Sequence, residues 1–184
     1  MRRLRQLAAG VVVSLLAALG GAPAASADIF LEIPGIPGES TAEGQENSID
    51  VLSYSWGAAG GDGARARLQP LNVSKNVDAA SPLLFQRLVQ GTHIANMELI
   101  VTRGGATPFL YLRYCFQDVV VASIQQSDSG PDPVADEAVS FSSGAVSEEY
   151  TTQNPAGGAG ATVFAGWNAT TGELIATYPT PCGL

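Results

Sequence analysis

Residues 29–57 read IFLEIPGIPGESTAEGQENSIDVLSYSWG. Ile29 to Ile33 is apolar enough for a short strand, and Pro34-Gly35 stops it. Pro37-Gly38 makes a second turn. From Ile49 to Trp56 the pattern alternates. Leu52, Tyr54 and Trp56, joined by Asp50 at the entry, are expected on one side of a strand, and Val51, Ser53 and Ser55 on the other. An acidic, Gly/Pro-punctuated loop separates the two strands.

Downstream, Gly57 to Gly63 reads as a small, polar, exposed loop containing Gly60, Gly61 and Asp62. Arg67 to Ser74 resumes as a strand, with Pro70 arguing for an edge or a bulge. One helix is expected. Ser81 suits its N-cap, Pro82 its first turn and Gly91 its C-terminal stop. Leu84 and Leu88, flanked by Leu83 and Phe85, give it one apolar side, which must pack on a sheet because so short a helix is unstable alone. Then come His93–Arg103, Phe109–Phe116, Asp118–Gln125, Ala138–Tyr150 and Thr162–Asn168, all rich in strand-forming residues. Gly104-Gly105 reads as a hairpin turn and Ser127–Asp136 as a polar loop. Several short strands with turns at regular spacing point to an all-β fold, a barrel or a sandwich.

Upstream, Arg2, Arg3 and Arg5 precede an apolar run from Leu7 to Leu19, and Ala25-Ser26-Ala27 forms a cleavage site before Asp28. This is read as a signal peptide, residues 1–27, because the run is too short for a membrane span and Gly20, Gly21 and Pro23 interrupt it. Arg2-Arg3 matches a twin-arginine signal poorly, so the general export route is expected. The β domain is placed at residues 28–178 and a short tail at 179–184.

Removing 27 of 184 residues leaves 157, enough for one domain. It also removes three of nine basic residues, leaving six against seventeen acidic ones, a charge near −11. Such a chain repels phosphate backbones and anionic lipid, so neither nucleic acid nor a membrane surface is expected as a partner. Cys115 and Cys182 are expected to form a disulfide after export. The alternative is one buried thiol and one free tail thiol. The absence of a C-x-x-C pair gives no support to a zinc or redox-active site.

Catalytic patterns are missing. His93 is the single histidine and reads as a helix-to-strand connector rather than a general base. G-x-S-x-G, H-E-x-x-H, a P-loop and an EF-hand loop are absent, and no cofactor or metal is expected. Adjacent acids, Asp136-Glu137 and Glu148-Glu149, face opposite sides of a strand and do not converge. The Glu39–Asp50 loop lacks the oxygen spacing of a calcium loop. Asn72-Val-Ser74 and Asn168-Ala-Thr170 fit the N-glycosylation pattern, which matters only in a host that glycosylates.

Several ordered motifs are more specific. IFLEIPGIPGES and NSIDVLSYSWG, then LNVSKNVDAASPLLFQRLVQGTHIANMELIVTR, YLRYCFQDVVVASI, and AVSFSSGAVSEEYTTQ with AGW, resemble the Hcp family, the haemolysin-coregulated proteins of the type VI secretion tube. The likeness runs from about Ile29 to Ile175. It implies an Hcp-like all-β fold, a compact β-barrel of two antiparallel sheets with one short flanking α-helix. It also implies a homo-oligomeric ring of six subunits that stacks into a tube, a lumen able to hold a secreted protein cargo, and no catalytic residues. The Gly57–Gly63 loop then corresponds to the family's extended loop, which reaches a neighbouring subunit. The signal peptide, the two cysteines and the tail YPTPCGL depart from the family pattern and suit an oxidising location.

The residues expected at a subunit interface are Gly57, Gly60, Gly61, Asp62, Arg65 and Arg67 on and beside that loop, with Tyr111 and Arg113 on the strand running to Phe116. Arg65 and Arg67 are scarce cations in an acidic protein, hence candidates for salt bridges between subunits. Trp56, Tyr114 and Trp167 are expected in the core. The rival readings are a secreted carrier of a protein or peptide bound in its cavity or on an open strand edge, and a hydrolase built on acidic pairs.

Overall fold

A computed structural model describes residues 27–61, 64–103, 108–128, 130, 134–180 and 182. The leader ahead of Ala27, Asp62 and the Gly104-Gly105 turn lie outside the described residues.

The opening stretch forms β1 (Ala27–Glu32), β2 (Ile49–Val51) and β3 (Ser53–Ser55). The Pro34-Gly35 turn is closed by the Ile36 N–H donating to Ile33 O at 3.0 Å. The acidic loop then folds back on itself. Gly38 N–H donates to Asn47 O and Ser40 N–H to Ser48 O, at 2.8 and 3.0 Å.

The expected alternation changes phase inside this stretch. Ile49 and Val51 point into the core, but so do Tyr54 and Trp56. Leu52 is 58% exposed rather than sharing a side with them. Two consecutive outward residues at the bend are the physical cause. They let one run of chain leave β1 and pair with a different strand.

β4 (Ala58–Gly61) and β5 (Ala64–Leu68) pair as a separate two-stranded ribbon, with a register shift between Ala59 and Gly61. Part of the expected loop is thus a strand, paired with Ala64–Leu68. The strand expected from Arg67 breaks at Gln69-Pro70 and resumes as β6 (Leu71–Asn76), consistent with the missing proline donor.

Helix α1 spans Ser81–Gln90. Gly91 ends it in a left-handed conformation, φ 60°, its N–H turned back to the Arg87 and Leu88 carbonyls. The N-cap position is Ala80, not Ser81. Asp78 Oδ1 accepts from Ala80 N–H at 2.9 Å, so the aspartate serves the helix start and the Ser81 hydroxyl is free for other bonds. Leu84 is buried, whereas Phe85 faces solvent.

β7 (Ile94–Arg103), β8 (Phe109–Ser127), β9 (Asp136–Gln153), β10 (Ala159–Asn168) and β11 (Glu173–Leu174) complete the fold. β8 runs through the break expected at Gln117. Asp118 takes a positive φ of 52°, yet the ladder with β9 resumes at Val119.

Every pairing is antiparallel. β2, β1, β7, β8, β9, β10 and β11 follow one another, and β6 joins β9 to β3. Nine strands therefore make one antiparallel sheet, and the ribbon makes a second, two-stranded one beside it. β2–Leu52–β3 links β1 to β6, so the sheet wraps its core, although the ladder is interrupted at Leu52. Leu31, Ile49, Leu71, Met97, Leu99, Phe116, Val139 and Phe141 fill the interior. α1 packs against β8.

Candidate functional site

The described residues singled out for contact lie on the outside of the fold rather than in one pocket. The ribbon is tied to the body at few points. Trp167 Nε1 donates to Ala66 O at 3.3 Å and Leu68 packs on the core, while Gln69 N–H, donating to Gly57 O at 2.7 Å, closes the ribbon's own base. Arg65 and Arg67 are both exposed. Arg65 lies over the Gly172 turn, with its Cζ 2.9 Å from where a Cβ on Gly172 would stand. Among the described residues, salt bridges involve Lys75, His93 and Arg113, and not these two arginines. Trp56, Ala58, Ala66, Leu68, Ala165 and Trp167 line an apolar groove of about 220 Å³ between ribbon and sheet.

Tyr111 and Arg113 lie on β8 with their side chains away from the core, since Tyr114 and Phe116 face inward. Tyr111 meets Tyr150 edge-on at 6.1 Å, and the Arg103 guanidinium sits 4.5 Å over its ring. Arg113 is engaged within its own chain. It pairs with Glu149 at 2.6 Å, approaches Glu98 at 3.8 Å and stacks 4.3 Å over the Tyr178 ring. Tyr178 OH donates to Glu98 Oε1 at 2.7 Å. Burial pushes the Glu98 carboxyl above its ordinary range. The Tyr178 hydrogen bond and Arg113 act against that, and Glu32 and Glu149 add to it. Burial and the nearby Glu98 charge push the Tyr178 phenol up as well.

Cys115 and Cys182 are bonded, with Cα atoms 5.7 Å apart. The sequence draws attention to these cysteines but not to Tyr178, whose role depends on a contact with Glu98 80 residues away. Nothing in local pattern reports such a pair.

His93 Nδ1 lies 2.5 Å from Asp118 Oδ1, both side chains largely exposed. That contact ties the helix-to-strand connector to the kink in β8. Among the described residues, no three His, Cys, Asp or Glu side chains gather as a metal would need.

A second charged cluster is internal. Lys75 Nζ donates to Asp78 Oδ1 at 2.7 Å, to Ser81 Oγ at 3.0 Å and to Glu137 Oε2 at 3.0 Å. Ser81 Oγ donates to Glu137 Oε2 at 2.9 Å, and Gln126 Nε2 donates to Glu137 Oε1 at 2.7 Å. Every donor and acceptor here is satisfied, so the cluster pins α1 to β6 and β9.

Comparison with known proteins agrees with this architecture. A family model described as "Type VI secretion system effector, Hcp" matches residues 30–150. Protein hcp1 of Pseudomonas aeruginosa is 29% identical over 152 residues, covering 77% of this chain and 94% of that protein. The crystal structure of Hcp1 from Salmonella typhimurium superposes with a TM-score of 0.71 at 33% identity, covering 81% of this chain and 99% of that one. A structure described as a type six secretion system protein gives 0.75 at 29% identity, covering 82% and 100%.

Proposed function

Since the chain belongs to the Hcp family of type VI secretion proteins, we propose that its mature form, from Asp28 onward, is a non-catalytic structural subunit whose copies close into a ring of six. The observation that carries this reading is the ribbon. β4 and β5 pair with each other and leave the main sheet's ladder, presenting exposed Arg65 and Arg67 on an otherwise acidic protein. A head-to-tail contact between such a ribbon and an acidic face of the next copy closes into a ring when the rotation allows. Gly57, Gly60, Gly61, Asp62 and Tyr111 belong to the same contact. Arg113 takes part through the cluster it organises with Glu149 and Tyr178. The enclosed lumen would take a secreted protein cargo.

Export by the general route fits the geometry. Ala27 pairs with Arg103 and Asp28 with Thr102, so cleavage after Ala27 removes one terminal pair and keeps the ladder from Asp28 onward. The Cys115–Cys182 bond suits the oxidising side of a membrane.

Light scattering on purified residues 28–184, at concentrations on the order of tens of micromolar, tests the proposal. The expected mass is that of six subunits. A strict monomer across that range contradicts it.

A further inference from the structure

The last described residues cross the outer face of the sheet, and the manner of their attachment points to a further property. Beyond Ile175, whose N–H donates to Gly166 O at 2.9 Å, the described tail has no backbone hydrogen bond to the sheet. Side chains hold it instead. Ile175 passes over Gly166, where a Cβ would come within 2.8 Å of both Ile175 Cβ and Ser147 Oγ. Tyr178 follows, edge-on to Phe164 at 6.1 Å, under the Arg113 guanidinium and bonded to Glu98. Cys182 ends the crossing on Cys115.

The register shows what lies beneath. Glu98 pairs with Cys115, Cys115 with Ser147, and Ser147 with Gly166, a row running across β7, β8, β9 and β10. Ser147 is wholly buried under this crossing, and its Oγ has no hydrogen-bond partner. A buried hydroxyl without a partner favours whichever state lets water reach it. Cys115 is also fully buried and Cys182 nearly so, while the core residues of the same strands point the opposite way.

We propose that residues 175–180, with Cys182, form a thiol-releasable strap. The Cys115–Cys182 bond holds it across the outer face of β7–β10, and reduction frees it without unfolding the domain. An external dithiol is the reductant. Local fraying of the strap exposes the bond. One thiolate of the dithiol then attacks Cys182 Sγ and expels the Cys115 thiolate. The second thiol closes the reagent into a cyclic disulfide, and both cysteines end as thiols. The strap's remaining anchors, the Ile175 N–H bond at its start and the hydrogen bond, cation–π stack and Phe164 contact of Tyr178, belong to the low-stability end of the molecule and do not hold it alone. Release hydrates Ser147 and uncovers Arg113, Glu149 and Cys115. This property stands whether or not copies assemble.

The test compares oxidised protein, dithiol-treated protein and the Cys182→Ser variant under native conditions. Nitration of the Tyr178 phenol and hydrogen exchange at Ile175, whose N–H is bonded to Gly166 O, are expected to accelerate by ~10-fold or more in the last two. Iodoacetamide is expected to add two carbamidomethyl groups to the treated protein and one, at Cys115, to Cys182→Ser, while far-UV circular dichroism stays unchanged. Gly166→Val, with the bond intact, is expected to raise exchange at Ile175 alone. Unreactive Cys115 with slow nitration of Tyr178 after reduction would overturn the proposal. So would collapse of the circular dichroism signal, which would make the bond a support of the whole domain.

Discussion

Lys75 Nζ sits 3.0 Å from Glu137 Oε2, and neither side chain has any exposure. The two residues are 62 positions apart, on β6 and β9, with Ser81 of α1 bonded to both. Removing Lys75 alone strands a buried carboxylate, so Lys75→Met is expected to destabilise by about 3–5 kcal/mol. Adding Glu137→Leu removes the stranded charge and should recover much of that loss. Urea denaturation of both singles and the double variant measures the coupling. Additive losses would show that the two groups act independently.

The same pair and Glu98 impose opposite pH dependences. Burial alone would raise the Glu137 carboxyl, but the Gln126, Lys75 and Ser81 hydrogen bonds and the Lys75 charge outweigh it and set it below its ordinary range. Its contribution is full above the unfolded carboxylate range and is lost as pH falls through the lowered value. Glu98 is held above that range, so the folded state keeps its proton more tightly. Its contribution is present below the unfolded range and lost as pH rises through the raised value. Stability curves from about pH 3 to about pH 8 should therefore lose their acid-side fall in Glu137→Gln and their fall above the carboxylate range in Glu98→Gln.

Gly38 lies in the opening stretch, where a Cβ would collide with Ser48 O and stand 2.5 Å from Ile49 Cα, both backbone atoms. Backbone cannot swing aside as a side chain can. Gly38→Ala is expected to lose about 1–3 kcal/mol, read as a fall in Tm. An unchanged Tm would mean that the acidic loop does not fold back on β2.

Closing a loop across a sequence separation of 67 by the disulfide stabilises by about 4 kcal/mol in the chain-entropy account. Replacing both cysteines with serine should lower Tm by about 10 °C, with unfolding still cooperative. A loss of a degree or two would mean that the unfolded chain gains little freedom when the bond is absent.

Much of the fold was legible, and the misses share a cause. β1, the Pro34-Gly35 stop and α1 with its Gly91 end follow local rules, and all three sit where those rules put them. Leu52 defeated the alternation because a change of pairing partner leaves no mark in a period-2 pattern. Gln117 reads as a break between two strands, whereas β8 runs through it and the positive φ falls on Asp118, which no local pattern marks. Ser81 looked like a cap, whereas its hydroxyl serves Lys75 and Glu137. Among the site residues, Cys115 and Cys182 stood out by type and compartment. Tyr178 and Ser147 did not, since their roles come from strands brought together only by the tertiary fold.

Electron microscopy of negatively stained residues 28–184 puts the central claim to its most direct trial, with Arg67→Glu beside it. Arg67 is exposed and has no salt bridge among the described residues, so reversing its charge should leave the subunit's Tm unchanged. The account predicts six-fold rings with an open centre for the parent protein and scattered single subunits for Arg67→Glu. Single subunits or open chains in the parent sample would contradict it.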